Sequence, residues 1–506
     1  MVGSHRYYRR PLAALATAAA VLLACGTGCT VWALLCTAAP AAELAVDCSR
    51  TDGAIRPLHG VNTGPLHAGD TLDLSAYYRE LGIPLTRLHD CHWPGADVVD
   101  IHVLFPDFRA DPALPASYDF ARTDDYLQTI VKAGSGIVFR LGESIEHSRR
   151  KYHVHPPADA AKWAAACVAI IRHYNDGWAG GFHHKIRYWE IWNEPENRPA
   201  MWSGSDEDYY RLYATTAKAI KAALPAVLVG GPAAGYAGRM QGDALEPTPF
   251  VAGFLDRCTH DAAPLDFFSW HTYTDDPQEL VRRARAVRRL LDQHGFRRTE
   301  NHLNEWNYLP GNDWGAMLSA DARARQRWFE RLSGPQGAAF TAAALMLLQD
   351  APLDAANYYS ADIQGFGLFN EYGVPKKSFY ALKAFKMLLD TPARIPLQGA
   401  PPAGLAVTAG IDRRRARVTV LASNFSSAEE KLSLRFTGVP WNGETTCEVL
   451  LLDAQHDLSR IELRQPFQPG ASTGGASGTQ REFLVEQDMR PASVHVIRLR
   501  PSQATP

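Results

Sequence analysis

The chain has 506 residues, 46% apolar and 10% aromatic, and its 52 basic and 54 acidic side chains leave a net charge of −2. That balance argues against a nucleic-acid or generally polyanionic partner, and the length calls for a large domain with a smaller module beside it.

Arg6, Arg9 and Arg10 precede an uncharged Ala/Leu-rich run from Pro11 to Ala42, a positive region followed by an export or anchoring segment. Residues 1–42 are therefore expected to be a signal peptide or membrane anchor, and the protein to be exported: periplasmic, extracellular or membrane-anchored. Three fates fit: cleavage near Ala39-Pro40-Ala41, retention as a spanning helix, or lipidation at Cys25 within Leu22-Leu23-Ala24-Cys25. Beyond the leader lie Cys48, Cys91, Cys167, Cys258 and Cys447, an odd set at wide spacing. Isolated buried thiols are expected, with room for one bridge, and no disulfide framework.

After residues 43–56, expected to add strands to a C-terminal sheet, short apolar strands alternate with amphipathic helices. The predicted strands are Leu58–Asn62, Pro84–His89, Gly136–Leu141, Ile186–Trp192, Ala226–Gly230, Asp266–His271, Asn301–Glu305 and Ala355–Ser360. Helical runs between them include Asp159–Tyr174, Asp206–Ala223, Pro277–His294 and Lys376–Leu389. Eight such units over residues 57–390 close most naturally as a (β/α)8 barrel, an α/β fold. From 391 to 506 prolines break the pattern, and period-two alternation in Arg417–Ala422, Leu432–Phe436, Cys447–Leu452 and Ser493–Leu499 predicts an accessory antiparallel β-sandwich. Gly470–Gly478 reads as a loop within it.

The chemistry-bearing stretch is Tyr188-Trp189-Glu190-Ile191-Trp192-Asn193-Glu194-Pro195, a core strand that ends on an amide and a carboxylate. A second Asn-Glu pair, Asn304-Glu305, ends the seventh strand. Two carboxyls at the mouths of two barrel strands suit glycosidic cleavage, Glu194 as acid/base and Glu305 as nucleophile, roughly 5–5.5 Å apart in a retaining enzyme. Glu194 is expected to keep a proton through desolvation by Trp192 and Pro195, and Glu305 to stay ionised beside Arg87 and Tyr273. Asn193 can donate to the hydroxyl next to the reacting carbon. Asn370-Glu371 lies in turn-forming sequence and reads as structural.

Arg87, His89 and Asp90 end the second strand and His271 and Tyr273 the sixth, all as candidate substrate contacts. His89, Cys91 and His92 also raise a metal site, but no second group with ligand spacing accompanies them. His153, His155, His183 and His184 read as solvated. Trp93, Trp202, Trp306 and Trp314 are candidates for stacking sugar faces, a share of them core packing instead.

With these residues on the page, the chain resembles the family 39 glycoside hydrolases from about Gly60 to Leu389. The carriers are Arg87-Leu88-His89-Asp90, Trp189 through Pro195, Val229-Gly230-Gly231-Pro232, Phe268-Ser269-Trp270-His271-Thr272-Tyr273, Leu303-Asn304-Glu305-Trp306, Gly365-Phe366-Gly367-Leu368-Phe369 and Gly373-Val374-Pro375-Lys376. The resemblance implies a double displacement by Glu194 and Glu305, with sugar contacts from His89, Asn193, His271 and Tyr273. It departs from xylosidase members after the eighth strand, where Ser360-Ala361-Asp362-Ile363-Gln364-Gly365 lacks their Phe-Glu-Glu run. A second departure follows the third strand, at Arg140-Leu141-Gly142-Glu143. Glu143 and Asp362 are the acids available to replace the missing hydroxyl contacts.

The resulting expectation is a retaining hydrolase of O-glycosidic bonds in plant or bacterial polysaccharides or oligosaccharides, β-xylosidase-like or directed at arabinofuranosides or exopolysaccharides. Its partner is a carbohydrate, with membrane association through the N-terminal segment and no cofactor or metal. The alternative is a barrel that binds carbohydrate without catalysis; a metal-dependent hydrolase stands third.

Overall fold

The computed structural model describes residues 42–69, 71–93, 97–428, 430–467 and 482–502, so residues 1–41 of the segment expected to direct export and the Gly470–Gly478 stretch lie outside the described residues. Eight parallel strands close into a barrel in chain order: β1 Gly60–Asn62, β2 Leu85–Leu88, β3 Gly136–Leu141, β4 Tyr188–Ile191, β5 Leu228–Ala234, β6 Phe267–Thr274, β7 Glu300–Tyr308 and β8 Ala355–Tyr358. The ring is sealed where Asn357 and Tyr358 pair with Gly60 and Val61. Helices cover the outside, so the strands are shielded on both faces and read as near-continuous apolar runs.

Strand ends differ from the sequence reading where the site lies. β6 and β7 run three residues beyond His271 and Glu305. Glu305 therefore sits inside a strand and not at its tip. The ladder between them slips, pairing Trp270 with Leu303 but His271 with Glu305, so Asn304 is an extra residue in β7. Such a bulge re-aims side chains, and here it sets Glu305 opposite His271.

The helices Ala160–Asp176, Asp206–Ala223, Pro277–Gln293 and Lys377–Leu389 match the amphipathic runs. Asp206–Ala223 starts on a capping box in which Ser205 and Asp208 satisfy each other's backbone N–H.

Past the barrel, two sheets face each other across a core that includes Leu44, Val46, Val420, Leu434, Phe436, Val449, Val485 and Ile497. The seven-stranded sheet is centred on Arg417–Asn424, Ser493–Pro501 and Thr445–Leu452. The four-stranded sheet holds Ala42–Asp47 between Leu397–Gln398 and Lys431–Thr437. Ala42–Asp47 pairs in parallel with Lys431–Thr437, inside an otherwise antiparallel arrangement.

Helix Pro335–Leu347 lies between barrel and sandwich, with all ten residues from Gly337 to Met346 buried. A helix apolar all round needs cover on every side. Strand Arg417–Asn424 supplies part of it, with Ser423 Oγ donating to the Ala339 carbonyl at 2.7 Å. Cys48, Cys91, Cys167, Cys258 and Cys447 are free and buried. Among the described residues no helix is long and apolar enough to cross a membrane.

Candidate active site

The centre of the barrel mouth is built around Arg87, which is wholly buried and points inward from β2. Its Nε donates to Glu190 Oε2 at 2.7 Å, Nη1 to Asn62 Oδ1 at 3.0 Å and Glu305 Oε2 at 3.2 Å, and Nη2 to Asn193 Oδ1 at 2.5 Å. One guanidinium thus fixes β1, β4 and β7 together. Glu190 is equally buried, and its second oxygen accepts the Asn304 amide at 2.5 Å. With four hydrogen bonds to protein and no solvent exposure, Arg87, expected from sequence as a substrate contact, is placed as an organiser of the nucleophile's surroundings. Asn193, its Oδ1 held by Arg87, has no protein partner for its amide NH2 among the described residues.

β4 stops at Ile191, and the chain turns through Trp192 at φ 71° and Glu194 at φ 44°. Two left-handed non-glycine residues in three cost stability and persist only where the surroundings enforce them. The enforcing contacts are Trp192 N–H to the Leu141 carbonyl at 2.7 Å and Glu194 N–H to the Ala233 carbonyl at 3.0 Å. Gly235 finishes the cradle, since a Cβ there would sit 2.5 Å from Glu194 Oε1. The loop therefore holds Glu194 over the mouth, with its side chain 18% exposed against 9% for Glu305.

Glu194 and Glu305 converge on His271. Its Nδ1 lies 2.8 Å from Glu194 Oε1 and 3.6 Å from Glu305 Oε2, and one oxygen of each acid with that nitrogen fall within 4.8 Å of one another. The Tyr273 hydroxyl donates to Glu305 Oε1 at 2.5 Å. Burial and then the Glu305 charge raise the Tyr273 phenol well above its usual range, so it stays a donor.

Glu194 differs from expectation. Burial pushes its carboxyl up, but the His271 hydrogen bond and charge, Asn197 and Arg87 outweigh that and leave it below the usual range. His271 moves the opposite way: burial lowers it, and the charge of Glu305 with the bond to Glu194 more than restores it. Both shifts favour a carboxylate at Glu194 hydrogen-bonded to a protonated His271.

His89 sits behind this pair, buried, with Nε2 3.3 Å from Asp90 Oδ2. Burial and the charges of Arg87 and Arg140 hold its ring neutral. Asp90 accepts the Ile145 N–H at 3.0 Å and the Tyr359 hydroxyl at 3.4 Å, and burial pushes it up to about 6.

Glu143 is buried on the loop after β3 and lies against His102, Oε2 to Nδ1 2.5 Å, with burial pushing it up to about 7. Asp100, His102 and Glu143 could together hold a cation. Their donors are already taken, however: Arg140 and Ser144 hold Asp100, and His102 engages both Glu143 oxygens. The metal reading of His89, Cys91 and His92 fails on geometry. The Cys91 thiol donates to the His89 carbonyl, while the two rings pair separately with Asp90 and Asp97.

Other expected sugar contacts are corrected. Trp202 and Trp306 are 0% exposed, so neither offers a face to a sugar. Trp202 packs edge-on against Trp192 at 4.8 Å and Trp306 against Tyr358 at 5.4 Å. Trp93 is also buried, packed against Tyr126. Asp362 is buried at the start of the loop after β8, where its Oδ1 accepts the Gln364 N–H at 2.9 Å, a turn-holding bond. Trp314 is half-buried at the rim, 5.1 Å from the Tyr273 ring and 6.1 Å from Phe366. His153 is exposed, as expected, and one face of its ring stacks on His102 at 3.6 Å. Asn370 accepts the N–H groups of Tyr372 and Val374, as a turn residue does.

Asn62, Arg140, Glu190, Glu196 and Tyr359 were not singled out from sequence. The legible signal was charge in an apolar strand: Arg140 and Glu190 break otherwise apolar runs at inward positions.

The family model described as "Glycosyl hydrolases family 39" matches residues 70–391. A β-xylosidase of Geobacillus stearothermophilus is 27% identical over 263 residues, 47% of this chain and 49% of the relative. A β-xylosidase of Caldicellulosiruptor saccharolyticus is 26% identical over 346 residues, 61% of this chain and 62% of the relative. The chain thus spans about half to three-fifths of the length of these curated relatives. Among solved structures, a glucosidase from Croceicoccus marinus superposes with a TM-score of 0.73 at 24% identity, covering 92% of this chain and 99% of that one. A GH39 enzyme from Xanthomonas axonopodis pv. citri gives 0.66 at 19%, covering 92% and 98%. At such identities the likeness is one of fold.

Proposed function

The chain belongs to glycosyl hydrolases family 39, and from that premise we propose that it hydrolyses O-glycosidic bonds of a plant or bacterial polysaccharide or oligosaccharide with retention of anomeric configuration. The observation that carries this reading is the convergence of Glu194 and Glu305 on His271, with carboxylate oxygens inside 4.8 Å. That closeness favours the roughly 5–5.5 Å carboxyl separation of a retaining enzyme over the roughly 6.5–9.5 Å of an inverting one.

Glu305 attacks the anomeric carbon, its lone pair aimed by Tyr273 and Arg87 on its two oxygens. Glu194 gives the proton it shares with His271 to the departing oxygen. It then takes one from the water that opens the glycosyl–Glu305 ester. The lowered Glu194 pKa of the free site makes this donor a pair: His271 restores the proton when the substrate oxygen arrives. Asn193 offers its free amide to the neighbouring sugar hydroxyl.

The β-xylosidase names of two relatives make a xyloside the first substrate to test, with arabinofuranosides and bacterial exopolysaccharides beside it. A nitrophenyl glycoside panel followed by proton NMR of the first-formed anomer is the test. Retention with release of nitrophenol supports the reading; binding without product favours a non-catalytic barrel, and an inverted product rejects double displacement. Export is the accompanying proposal, supported by the arginines and apolar run of the N-terminal sequence. N-terminal sequencing of the mature chain after cell fractionation distinguishes cleavage, lipidation and retention.

A further inference from the structure

Glu196 lies two residues after the proposed acid/base, and the chemistry above gives it no task. Its Oε1 accepts the Tyr236 N–H at 3.2 Å, while Oε2 is shielded from solvent without a hydrogen-bond partner. A carboxyl in that condition is costly to ionise and is rarely retained for packing alone.

The end of β5 and the loop after it serve both acids. The Ala233 carbonyl accepts the Glu194 N–H, Gly235 abuts the Glu194 carboxylate, and Tyr236 donates to Glu196. The two carboxyls are therefore held at fixed places by one short stretch of backbone, near enough for the Glu194 charge to act on Glu196.

We infer that Glu196 is a positioning residue whose charge, set against Glu194, fixes how far into the neutral range the Glu194–His271 pair keeps its proton. This rests on Glu194 being the acid/base.

Burial and then the Glu194 charge push Glu196 up to about 7. The groups facing it are Glu194 on its own loop, His271 from β6, and the Tyr209 and Tyr210 phenols from helix Asp206–Ala223. Burial raises both phenols, which remain neutral, so Glu194 is the one anionic neighbour of this set. As pH rises past neutrality Glu196 ionises, and a second negative charge disfavours loss of the last proton from the pair beside it. The acid form of the catalyst thus survives to higher pH than an isolated Glu–His pair would allow. A neutral amide at position 196 removes that restraint.

The test uses the full chain and whichever nitrophenyl glycoside it turns over fastest, with kcat/KM measured from about pH 4 to 9. Glu196→Gln is expected to move the basic limb down by about half a unit or more, a loss of about threefold at a fixed pH on that limb, with KM within about twofold. Glu196→Asp keeps the charge and is expected to keep the wild-type limb. A Gln variant whose limb coincides with wild type, moves upward, or stays in place under a pH-independent loss of kcat overturns the inference. If Glu196→Gln does not fold, as judged by circular dichroism, Glu196→Asn is read by the same outcomes. Glu194→Gln is run alongside: wild-type turnover and an intact basic limb there would sink the acid/base assignment itself, whatever Glu196 does.

Discussion

The Tyr273 hydroxyl donates a 2.5 Å hydrogen bond to Glu305 Oε1, while the other oxygen of that acid faces Arg87. A charge-assisted bond of this kind is worth about 1.5–3 kcal/mol. Tyr273→Phe should therefore cut kcat/KM by about ten- to a hundredfold and leave the melting temperature nearly unchanged. Nitrophenyl glycoside kinetics with a thermal scan decide it; a variant within twofold of wild type would remove Tyr273 from the mechanism.

Replacing the two acids separates their roles. Glu305→Ala is expected to lose on the order of 10⁴-fold or more in kcat. Glu194→Ala should lose less with an activated nitrophenyl leaving group than with a sugar one, because the better leaving group needs less protonation. Added azide should restore the Glu194 variant to give a glycosyl azide of retained configuration, and the Glu305 variant to give the inverted one. The opposite pairing, read by NMR, would exchange the assignments.

Arg87 and Glu190 form an ion pair without solvent on either side. Removing one member strands the other's charge in the interior, at a cost of about 3–5 kcal/mol. Arg87→Met should lower the unfolding free energy obtained from urea denaturation by that much as well as abolish turnover. Unchanged stability would mean that Glu190 is neutralised by other means.

Glu143 and His102 give stability a pH slope. Burial raises Glu143 from an ordinary 4.5 to about 7. Burial lowers His102, but its bond to Glu143 more than reverses that and leaves it raised. Both groups hold protons more tightly folded than unfolded, so the stability this pair contributes is greatest in acid. It falls as pH rises from about 4.5 through 7 and past the raised pKa of His102. Glu143→Gln should flatten the decline of melting temperature over that range; an equal decline in the variant would assign the slope elsewhere.

Trp202 and Trp314 test packing against binding. Trp202 is sealed in the core, and Trp202→Ala should cost about 3–5 kcal/mol. Trp314 is half-buried at the rim beside Tyr273. Trp314→Ala should raise KM several-fold with little loss of stability. Reversed phenotypes would show that the rim ring is structural.

The barrel was legible because each strand is an apolar run with its own punctuation, and closure demands eight of them. Glu194 was legible because Trp192, Asn193 and Pro195 frame it. The bulge at Asn304 was not: its cause is the register between β6 and β7, a relation between distant segments that no local pattern encodes. For the same reason Trp202 and Trp306 read as sugar platforms. An aromatic residue near a strand mouth has the same local sequence whether its ring turns toward the cleft or into the core. The Glu194 titration also escaped sequence, because His271 lies close to it only through the fold.

Helix Pro335–Leu347, covered on one side by the barrel and on the other by the sandwich, makes neither module complete alone. A chain cut after Leu389 would leave that helix's apolar flank bare and should aggregate instead of yielding a minimal catalyst. Denaturation of the intact protein should accordingly proceed in one cooperative step, with the β-rich module acting as half of the hydrolase's own interior and not as a detachable appendage.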